Sequence, residues 1–400
     1  MKILQIHNHY RMRGGEDVMF EQICSLLRDH KHQVFTFERR SNDVVGLRTK
    51  LAAFMTGVYS SAAKDDVSHL IRTERPDLVH VHNLYPLVSP SVLEACGERG
   101  VPVVMRCPNY RLACPTGLFL RNGKACTRCE GGREYWCALT NCRSNLVEST
   151  AMAARSFAVR AWGLIREHVG VFIPPSAFVA GRLARTGIPK EQIRVIPNTV
   201  GVPEVPCDPA NGSYIAFAGR LSEEKGVETL LDAARLLPQV PIRVAGEGPL
   251  YETLRADAPP NVTFIGQLSR SGLSEFYANA RACVVPSVWH EAFGLVAAEA
   301  MAHGLPVVAS RMGALPEIVD EDSTGLLFEA SNAEALAEAI EFLWLDASTA
   351  KKMGTAGREK VIREYARDVY YKRLMDVYSF AVGDRTRAST AQAAHLAQSA

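Results

Sequence analysis

The sequence has 400 residues, of which 47% are hydrophobic and 22% charged, and its formal net charge is +2. At ~100–200 residues per domain this length predicts two domains, and the composition is typical of a soluble globular protein. The small net charge gives no electrostatic reason to expect a nucleic acid or an anionic membrane as partner.

The start of the chain and its cysteines bear on where the protein works. No apolar run reaches the ~18 residues of a membrane span, and the apolar start is too short for a signal peptide. We therefore expect a cytoplasmic protein, with peripheral association at the inner face of the membrane left open. In a reducing compartment the ten cysteines are not expected to form mainly disulfides.

Apolar segments in the first half of the chain predict alternating strands and helices. Strands are predicted at Lys2–Ile6, Gln33–Phe37, Asp77–His82, Val101–Met105 and Gly170–Ile173, with a long helix at Val44–Arg72. This alternation predicts a parallel sheet covered by helices on both faces. Ligands of such sheets gather at the carboxyl ends of the strands.

Two groups of residues lie at predicted strand ends. Gly14 and Gly15 follow the first strand and lack a Cβ, so the backbone there can turn sharply and come close to a ligand, although a plain strand-to-helix loop also fits. His80 and His82 point to one face of the third strand. They are candidates for metal binding, local hydrogen bonding or lining of an acceptor cleft.

The segment 107–142 differs from the rest in having six cysteines and little periodicity. Cys126, Cys129, Cys137 and Cys142 have the spacing C-x2-C-x7-C-x4-C, which is compatible with a tetrahedral zinc site that fixes a loop without a core. Free thiols, or a redox pair formed by the first two, are the alternatives.

A helix is predicted at Asn145–His168, where apolar residues recur at intervals of three and four. Arg155 and Arg166 would lie on one face of it, about three turns apart. They could meet a phosphorylated or membrane-linked acceptor, and two solvated arginines are the alternative.

The second half restarts the alternation after a Pro-, Asn- and Gly-rich run that is typical of an interdomain linker. This run follows a short strand predicted at Ile193–Ile196. A cleft between two domains is where small molecules usually bind. After a strand at Tyr214–Ala218, Gly219 opens a loop in which Arg220 and Lys225 can reach one anion from two sides.

The stretch Val284–Ser310 predicts a strand, a polar turn, a compact helix and a second strand. The helix begins after Gly294, so amides near Gly294 and Leu295 present an N-terminus suited to phosphate. Glu291 precedes this helix and Glu299 lies eight residues further on, up to ~12 Å away along the axis. This separation suits an extended polyol that carries a diphosphate in its middle.

These residues resemble the E-x7-E signature of the retaining family 4 glycosyltransferases, which have the GT-B fold. The resemblance implies that Glu291 lies by the donor sugar and that Glu299 holds the nucleotide ribose. It also implies that Arg220 and Lys225 neutralise the departing diphosphate, which the amides near Gly294 bind. Two surface acids beside an amphipathic helix would be the plainer interpretation of the signature alone.

The first half is similar to the same family in two places. Gly14, Gly15 and Glu16 resemble a GGxE-like loop that closes over the donor diphosphate and faces the acceptor. The segment 107–142 looks like an insert that some members carry at the acceptor side, and Asn109 and Arg111, with His82, are its candidate acceptor-side residues. Where many relatives place a histidine before this asparagine, the chain has Pro108.

The resemblance and the patterns together predict an α/β protein of the GT-B fold, with two Rossmann-like domains facing each other across a cleft. The predicted parts are an acceptor-side domain at 1–198 with the insert at 107–142, a nucleotide-sugar domain at 199–366, a helix at 367–383 that crosses back, and a disordered tail at 384–400.

The predicted activity is that of a hexosyltransferase-type enzyme that uses a UDP- or GDP-sugar and no catalytic metal. It would transfer the sugar, with retention, to a hydroxyl of a glycan or lipid-linked glycan during polysaccharide or cell-envelope synthesis. One alternative is a catalytically silent nucleotide-sugar-binding or assembly subunit with the same fold. A nucleotide-sugar epimerase or a phosphorylase on the same fold is a second alternative.

Overall fold

Two parallel β-sheets, one in each half of the chain, organise this computed structural model. The structure describes the backbone of residues 1–10, 14–40 and 57–398, and the side chains of these ranges up to residue 383. Most of the first half of the helix predicted at Val44–Arg72 therefore lies outside the described residues. The described part is a helix at Ser61–Glu74, which begins where the Ser60 hydroxyl accepts a hydrogen bond from the Ala63 amide.

The N-terminal half contains seven strands and six α-helices among the described residues. In chain order these are β1 (Lys2–His9), α1 (Gly15–Asp29), β2 (Gln33–Arg40), α2 (Ser61–Glu74), β3 (Leu78–Asn83), α3 (Ser91–Glu98), β4 (Val103–Arg106), β5 (Leu120–Arg121), β6 (Lys124–Ala125), α4 (Tyr135–Leu139), α5 (Leu146–Ala161), β7 (Val171–Ile173) and α6 (Ala177–Ala184). The pair β5–β6 and the helix α4 belong to the cysteine-rich insert.

The first sheet has the parallel strand order β2-β1-β3-β4-β7. Successive residues of its strands enter two different cores, so that Leu4 and Ile6 pack in one and Ile3 in the other. Burial on both faces explains why apolar residues occur on both faces of these strands, which also bury polar side chains such as Gln5, His80 and His82. The strand order reverses between β1 and β3, and the loops after these two strands therefore open a crevice.

The C-terminal half contains the second sheet. In chain order its elements are β8 (Tyr214–Ala218), α7 (Val227–Leu236), β9 (Ile242–Ala245), α8 (Tyr251–Ala256), β10 (Val262–Gly266), α9 (Arg270–Ala278), β11 (Ala280–Val285), α10 (Leu295–Ala302), β12 (Val307–Ser310), α11 (Leu315–Ile318), β13 (Gly325–Phe328), α12 (Ala333–Leu345), α13 (Ala347–Glu364) and α14 (Arg367–Gln398). All pairs are parallel in the order β10-β9-β8-β11-β12-β13. This order reverses between β8 and β11.

Three predicted elements differ from the structure. The strand predicted at Ile193–Ile196 is reduced to one bridge between Ile193 and Phe172. The helix predicted at Asn145–His168 ends at Ala161, because Gly163 adopts a left-handed φ of 64°. The tail predicted to be disordered at 384–400 continues α14 to Gln398, and its many alanines supply the helix propensity that an apolar stripe does not.

The last helix packs against the N-terminal sheet, although it follows the C-terminal domain in the chain. Tyr370, Leu374 and Val377 join the core formed by Ile3 and α1. The Tyr378 hydroxyl lies 2.7 Å from Nδ1 of His80 in β3. Across the described residues, no helix combines the length and the apolar character that crossing a membrane would require.

Candidate active site

The loops that follow β8 and β11 meet where the order of the second sheet reverses. Backbone hydrogen bonds hold the loop after β8, among them one from the Leu221 amide to the Glu247 carbonyl at 2.9 Å and one from the Val288 amide to the Glu224 carbonyl at 3.0 Å. Ligands of open α/β sheets bind at such a point. The loop that carries Arg220 and Lys225 therefore lies directly beside the turn that carries Glu291.

Gly226 makes this contact between the loops possible. Its φ is 66°, and a Cβ at this position would lie 1.9 Å from the Pro286 carbonyl oxygen. A side chain would meet both the steric cost of left-handed backbone and a backbone atom that cannot move aside. Only glycine lets the preceding residue, Lys225, reach across to the turn after β11.

Lys225 and Glu291 form an ion pair with 2.7 Å between Nζ and Oε1. The Ser287 hydroxyl donates a second hydrogen bond of 2.7 Å to the same oxygen, and Nζ lies 5.5 Å from the centre of the Trp289 ring. Burial alone would raise the pKa of Glu291, but the charge of Lys225 and these hydrogen bonds outweigh it and lower the pKa. The carboxylate is therefore ionised and fixed in position.

The helix α10 begins immediately after this ion pair. Its N-cap, Gly294, has a φ of 94°, and the first helical residue is Leu295. A Cβ on Gly294 would lie 2.7 Å from Cδ2 of Leu315, so the packing of α11 also favours glycine. Free amides and the positive end of the helix dipole thus follow directly after the turn of Glu291, an arrangement that suits an anion.

Two further predicted residues lie at the edges of this region. Arg220 is exposed on the loop after β8, where the Gly219 amide donates to the Ala245 carbonyl. Glu299 lies on α10, and burial raises its pKa to about 7, with Arg270 opposing the shift. A carboxyl group of this kind can accept hydrogen bonds from hydroxyl groups.

The N-terminal domain offers a second polar group at its own switch point. Gly14 caps α1, and its amide donates to Asp17 Oδ2 at 2.9 Å. A Cβ on Gly14 or Gly15 would meet no atom within 4 Å among the described residues. Glu16 accepts hydrogen bonds from Tyr10 at 2.9 Å and from Asn109 at 2.7 Å. The glycine loop is therefore joined to the segment after β4.

The three predicted acceptor-side residues all line one small cavity. Arg111 donates to Asn83 at 3.3 Å, and Asn109 holds the Arg111 amide at 2.9 Å, so these two face the crevice together. His82 is only 4% exposed, and its Nε2 lies 2.6 Å from Gln5 Oε1, but it contributes to the wall of this cavity. Burial lowers the pKa of His82 well below its usual value, so it lines the cavity as a neutral imidazole.

Contacts between the two domains bring these regions face to face. The Tyr110 hydroxyl donates to the His290 carbonyl at 2.9 Å, and the Ser176 hydroxyl donates to the Ala292 carbonyl at 2.7 Å. The Glu317 carboxylate accepts from the first amides of α6, those of Ala177 and Phe178, at 2.8 and 2.6 Å. The turn of Glu291 therefore lies against the N-terminal domain.

A histidine and carboxylate group lies at the end of β1. His7 and His9 lie 2.9 and 3.1 Å from Asp17 Oδ1, and Nε2 of His9 lies 2.7 Å from Glu38. Of the His, Cys, Asp and Glu residues that the structure describes, only His7, His9 and Asp17 bring three potential ligand atoms within 4.8 Å of one another. Their mutual hydrogen bonds satisfy most of these atoms.

The cysteines of the insert are all free thiols. Cys129, Cys137 and Cys142 pack in one small cluster, and the Cys114 thiol contacts that of Cys129. The Cys114–Cys129 contact joins the cluster to a cysteine that the predicted set of four did not include.

Sequence reasoning missed Ser287 and Trp289, and it did not predict the interdomain contacts of Tyr110 and Glu317. Ser287 and Trp289 lie in the turn before Glu291, and Tyr110 and Glu317 join the two domains. The sequence signals for Ser287 and Trp289 were their positions at the carboxyl end of a strand beside a predicted functional acid. The interdomain contacts of Tyr110 and Glu317 have no local signal, because each partner lies more than a hundred residues away.

The two sheets and the cleft between them define a two-domain α/β enzyme of the GT-B fold. Solved structures agree: sucrose-phosphate synthase from Thermosynechococcus elongatus has a TM-score of 0.71 and 22% identity, covering 96% of this chain and 99% of that chain. The Anabaena protein HepE in complex with UDP has a TM-score of 0.66 and 18% identity, covering 95% and 100%.

Family comparisons identify the chain more narrowly. Residues 14–199 match the glycosyl transferase 4-like domain, and residues 208–360 match the glycosyl transferases group 1. The chain is therefore a glycosyltransferase of the GT-B group 1, family 4-like type. The sulfoquinovosyl transferase SQD2 of Arabidopsis thaliana is 35% identical over 187 residues, which are 46% of this chain and 35% of that protein. The chain spans about half or less of the length of the first curated relatives that it matches.

Proposed function

We propose that the enzyme transfers a sugar from a nucleoside diphosphate sugar to a hydroxyl group, with retention of the anomeric configuration. The observation that carries this proposal is the ion pair of Lys225 and Glu291, placed directly before the N-terminus of α10 and against the N-terminal domain. A cation and free helix amides favour a diphosphate, while the adjacent fixed carboxylate favours sugar hydroxyls.

The proposed roles follow from these positions. Lys225, which is paired with Glu291 just before the N-terminus of α10, would bind the leaving diphosphate together with Arg220 from the exposed part of the loop. Glu291 would hold hydroxyls of the donor sugar, and Glu299 those of the ribose. Charge that develops on the departing phosphate is then stabilised by groups fixed in advance, which is the largest single term in many enzymes.

The retaining stereochemistry is proposed on the chemistry of Glu291. This carboxylate is engaged by Lys225 and Ser287, so it is better suited to hydrogen bonding than to attack on the anomeric carbon. We propose front-face displacement, in which the leaving phosphate oxygen accepts the acceptor proton as the new glycosidic bond forms. Such a mechanism needs no histidine at position 108.

The donor is proposed to be a UDP- or GDP-sugar, and the bound UDP in the HepE complex supports the first of these. Thermal stabilisation by UDP, GDP and their sugars would identify the base. Product analysis by NMR would then show the configuration of the transferred sugar. An inverted product would refute the retaining mechanism, and absence of any nucleoside diphosphate release across donors and acceptors would favour the silent assembly subunit instead.

The acceptor is proposed to be a glycan or a lipid-linked glycan, at the inner face of the membrane. Asn109 and Arg111 support this assignment, because their polar atoms lie on the N-terminal side of the cleft and are held by Glu16 and Asn83. A transfer assay with soluble oligosaccharides and with lipid-linked ones, run side by side, tests it. Transfer to water alone would overturn the assignment of an acceptor face.

For the insert, we propose a structural zinc ion bound by Cys129, Cys137, Cys142 and Cys114. Cys129, Cys137 and Cys142 pack in one cluster, and the hydrogen bond of the Cys114 thiol to Cys129 favours Cys114 over the predicted Cys126. No three of these sulfur atoms lie within 4.8 Å of one another in the described structure, so zinc binding would have to draw the thiols together. Elemental analysis should find about one zinc per chain, retained in Cys126→Ser and lost in Cys114→Ser. Loss in Cys126→Ser alone would restore the predicted set, and a metal-free wild type would overturn the site.

A further inference from the structure

A cavity of about 230 Å³ lies in the N-terminal domain, between the cysteine-rich insert and the helix α5. It is smaller than the ~300–1,000 Å³ of typical small-molecule sites, so it suits one chemical group rather than a whole nucleotide sugar. Four arginines line it: Arg111, Arg155, Arg160 and Arg166. This concentration of positive charge is the feature that the proposed function does not explain.

The positive charge in the cavity is mostly unpaired. Glu134 also lines the cavity, but it is engaged by Arg160, whose Nε lies 2.6 Å from Oε1. Arg111, Arg155 and Arg166 make no ion pair with any residue in the described ranges. Arg166 is exposed to solvent, and Arg111 donates to Asn83 and Tyr10 with the charge of Glu16 nearby. Arg155 is therefore the partly buried guanidinium that an anionic ligand would serve most.

Arg155 is the central member of this group. It is partly buried, and its guanidinium lies 4.5 Å from the centre of the Tyr85 ring. The guanidinium of Arg111 lies 5.4 Å from the centre of the same ring. Burial, with Arg111 close by, lowers the pKa of Arg155. Holding two cations on one aromatic ring is unfavourable unless an anion joins them, and guanidinium forks bind phosphate oxygens in a bidentate manner.

The cavity adjoins the acceptor side of the cleft. Tyr85 and Arg111 line both this cavity and a small neighbouring one, which Asn83 and Asn109 also line. The next residue to Arg111 is Tyr110, whose hydroxyl touches the His290 carbonyl beside Glu291. An acceptor that extends from the transfer site into the N-terminal domain would therefore reach the arginines.

We propose that this cavity binds a phosphate group carried by the acceptor, held by Arg155 with Arg111 and Arg166. The inference rests on the proposed function, because it names the class of acceptor that the enzyme takes. A doubly charged phosphate fits several arginines lining one cavity better than a singly charged carboxylate does. The phosphate can belong to a soluble sugar phosphate or to a lipid headgroup.

The test uses the full chain with Arg220→Ala and Lys225→Ala as background, so that phosphate cannot be bound at the diphosphate site. Inorganic phosphate and glycerol 3-phosphate should raise its melting temperature in a saturable manner, and acetate should not. Adding Arg155→Gln should weaken the apparent affinity about tenfold or more. Arg255→Gln is the matched control, since Arg255 is exposed on α8, far along the chain from the cavity.

The outcomes separate this inference from the proposed function. The phosphate site would be refuted if phosphate still stabilised the Arg155→Gln variant, or if acetate stabilised the background protein as much as phosphate does. It would also be refuted if phosphate did not stabilise the background protein at all. In the native chain, Arg155→Gln should leave the binding of UDP or GDP unchanged, whereas failure of the proposed function would appear as loss of that binding. Binding to vesicles of phosphatidic acid in phosphatidylcholine, compared with phosphatidylcholine alone, distinguishes a lipid phosphate from a soluble one.

Discussion

The switch points of the two sheets carry different kinds of polar group. In the C-terminal domain, Lys225 and Glu291 form a single close ion pair beside a helix N-terminus. In the N-terminal domain, the equivalent crevice carries a spread of hydrogen bonds that join Glu16, Asn109 and Arg111 to their neighbours. The first arrangement suits one ligand class with a fixed charge, and the second suits a face that can be adapted to different acceptors.

The difference extends to how each half fixes its functional groups. The loop of Lys225 is held by backbone contacts, through Gly226 and the hydrogen bonds of Leu221 and Val288, together with the ion pair of Lys225 and Glu291. The acceptor side relies on side chains in a cysteine-rich insert with little regular structure. Changes on the donor side should therefore affect catalysis sharply, while changes on the acceptor side should affect selectivity.

The largest effect is expected from breaking the ion pair. Lys225→Ala removes the cation proposed to bind the leaving diphosphate, and Glu291→Ala removes the carboxylate that holds the sugar. Each should lower kcat by about 10²–10³-fold or more while the circular dichroism spectrum stays unchanged. Arg255→Ala is the control, since that residue is exposed and outside the site. Turnover near the wild-type value in both variants would refute the assigned roles.

The second largest effect on turnover and stability is expected from a change in the backbone at Gly226. Gly226→Ala would place a Cβ 1.9 Å from the Pro286 carbonyl in left-handed backbone, so the loop must shift away from the turn. We expect a loss of about 3 kcal/mol and reduced turnover. Gly266→Ala has a similar φ of 73° but meets no atom within 4 Å, and should cost about 1 kcal/mol. Equal melting temperatures for the two variants would contradict the role given to Gly226.

The raised pKa of Glu299 gives a pH-dependent effect. Its folded-state pKa of about 7 lies above the usual value of 4.5, so the folded state binds this proton more tightly than the unfolded state does. The resulting contribution to the free energy of unfolding is complete below pH 4.5 and is lost as the pH rises through 7. Glu299→Gln removes this dependence and should be more stable than wild type at pH 8, by about 1–3 kcal/mol, but not at pH 4. Melting temperatures of both proteins across this range provide the measurement, and parallel curves would argue against the shift.

The sequence predicted the donor domain better than the acceptor domain, for a physical reason. Strand β8, the glycine-containing loop and the helix after Gly294 are local features, each encoded within about twenty residues. Burial of both faces makes the strands continuous apolar runs, and these are easy to recognise. The GT-B fold predicted from these features is confirmed by the solved structures.

The features of the site that the sequence did not predict depend on contacts between distant parts of the chain. His82 hydrogen-bonds to Gln5 in a neighbouring strand, so its place in the interior could not be deduced from its own strand. Arg155 and Arg166 line one cavity, yet the predicted reason was wrong, because the helix ends at Ala161 and Arg166 follows it in a turn. The meeting of these arginines is a consequence of tertiary packing, not of helical spacing.

The smallest effect is expected at the contact that joins the two halves. Glu317 caps the N-terminus of α6 from the other domain, accepting from the Ala177 and Phe178 amides. Glu317→Ala leaves these amides without that partner and removes a negative charge from the positive end of the helix, so we expect a loss of about 1 kcal/mol. Glu317→Gln keeps one oxygen acceptor without the charge and should fall between wild type and the alanine variant. Because the cap holds the acceptor-side domain against the turn of Glu291, KM for the acceptor should rise more than KM for the donor. An equal rise in both KM values would show that the contact serves stability alone.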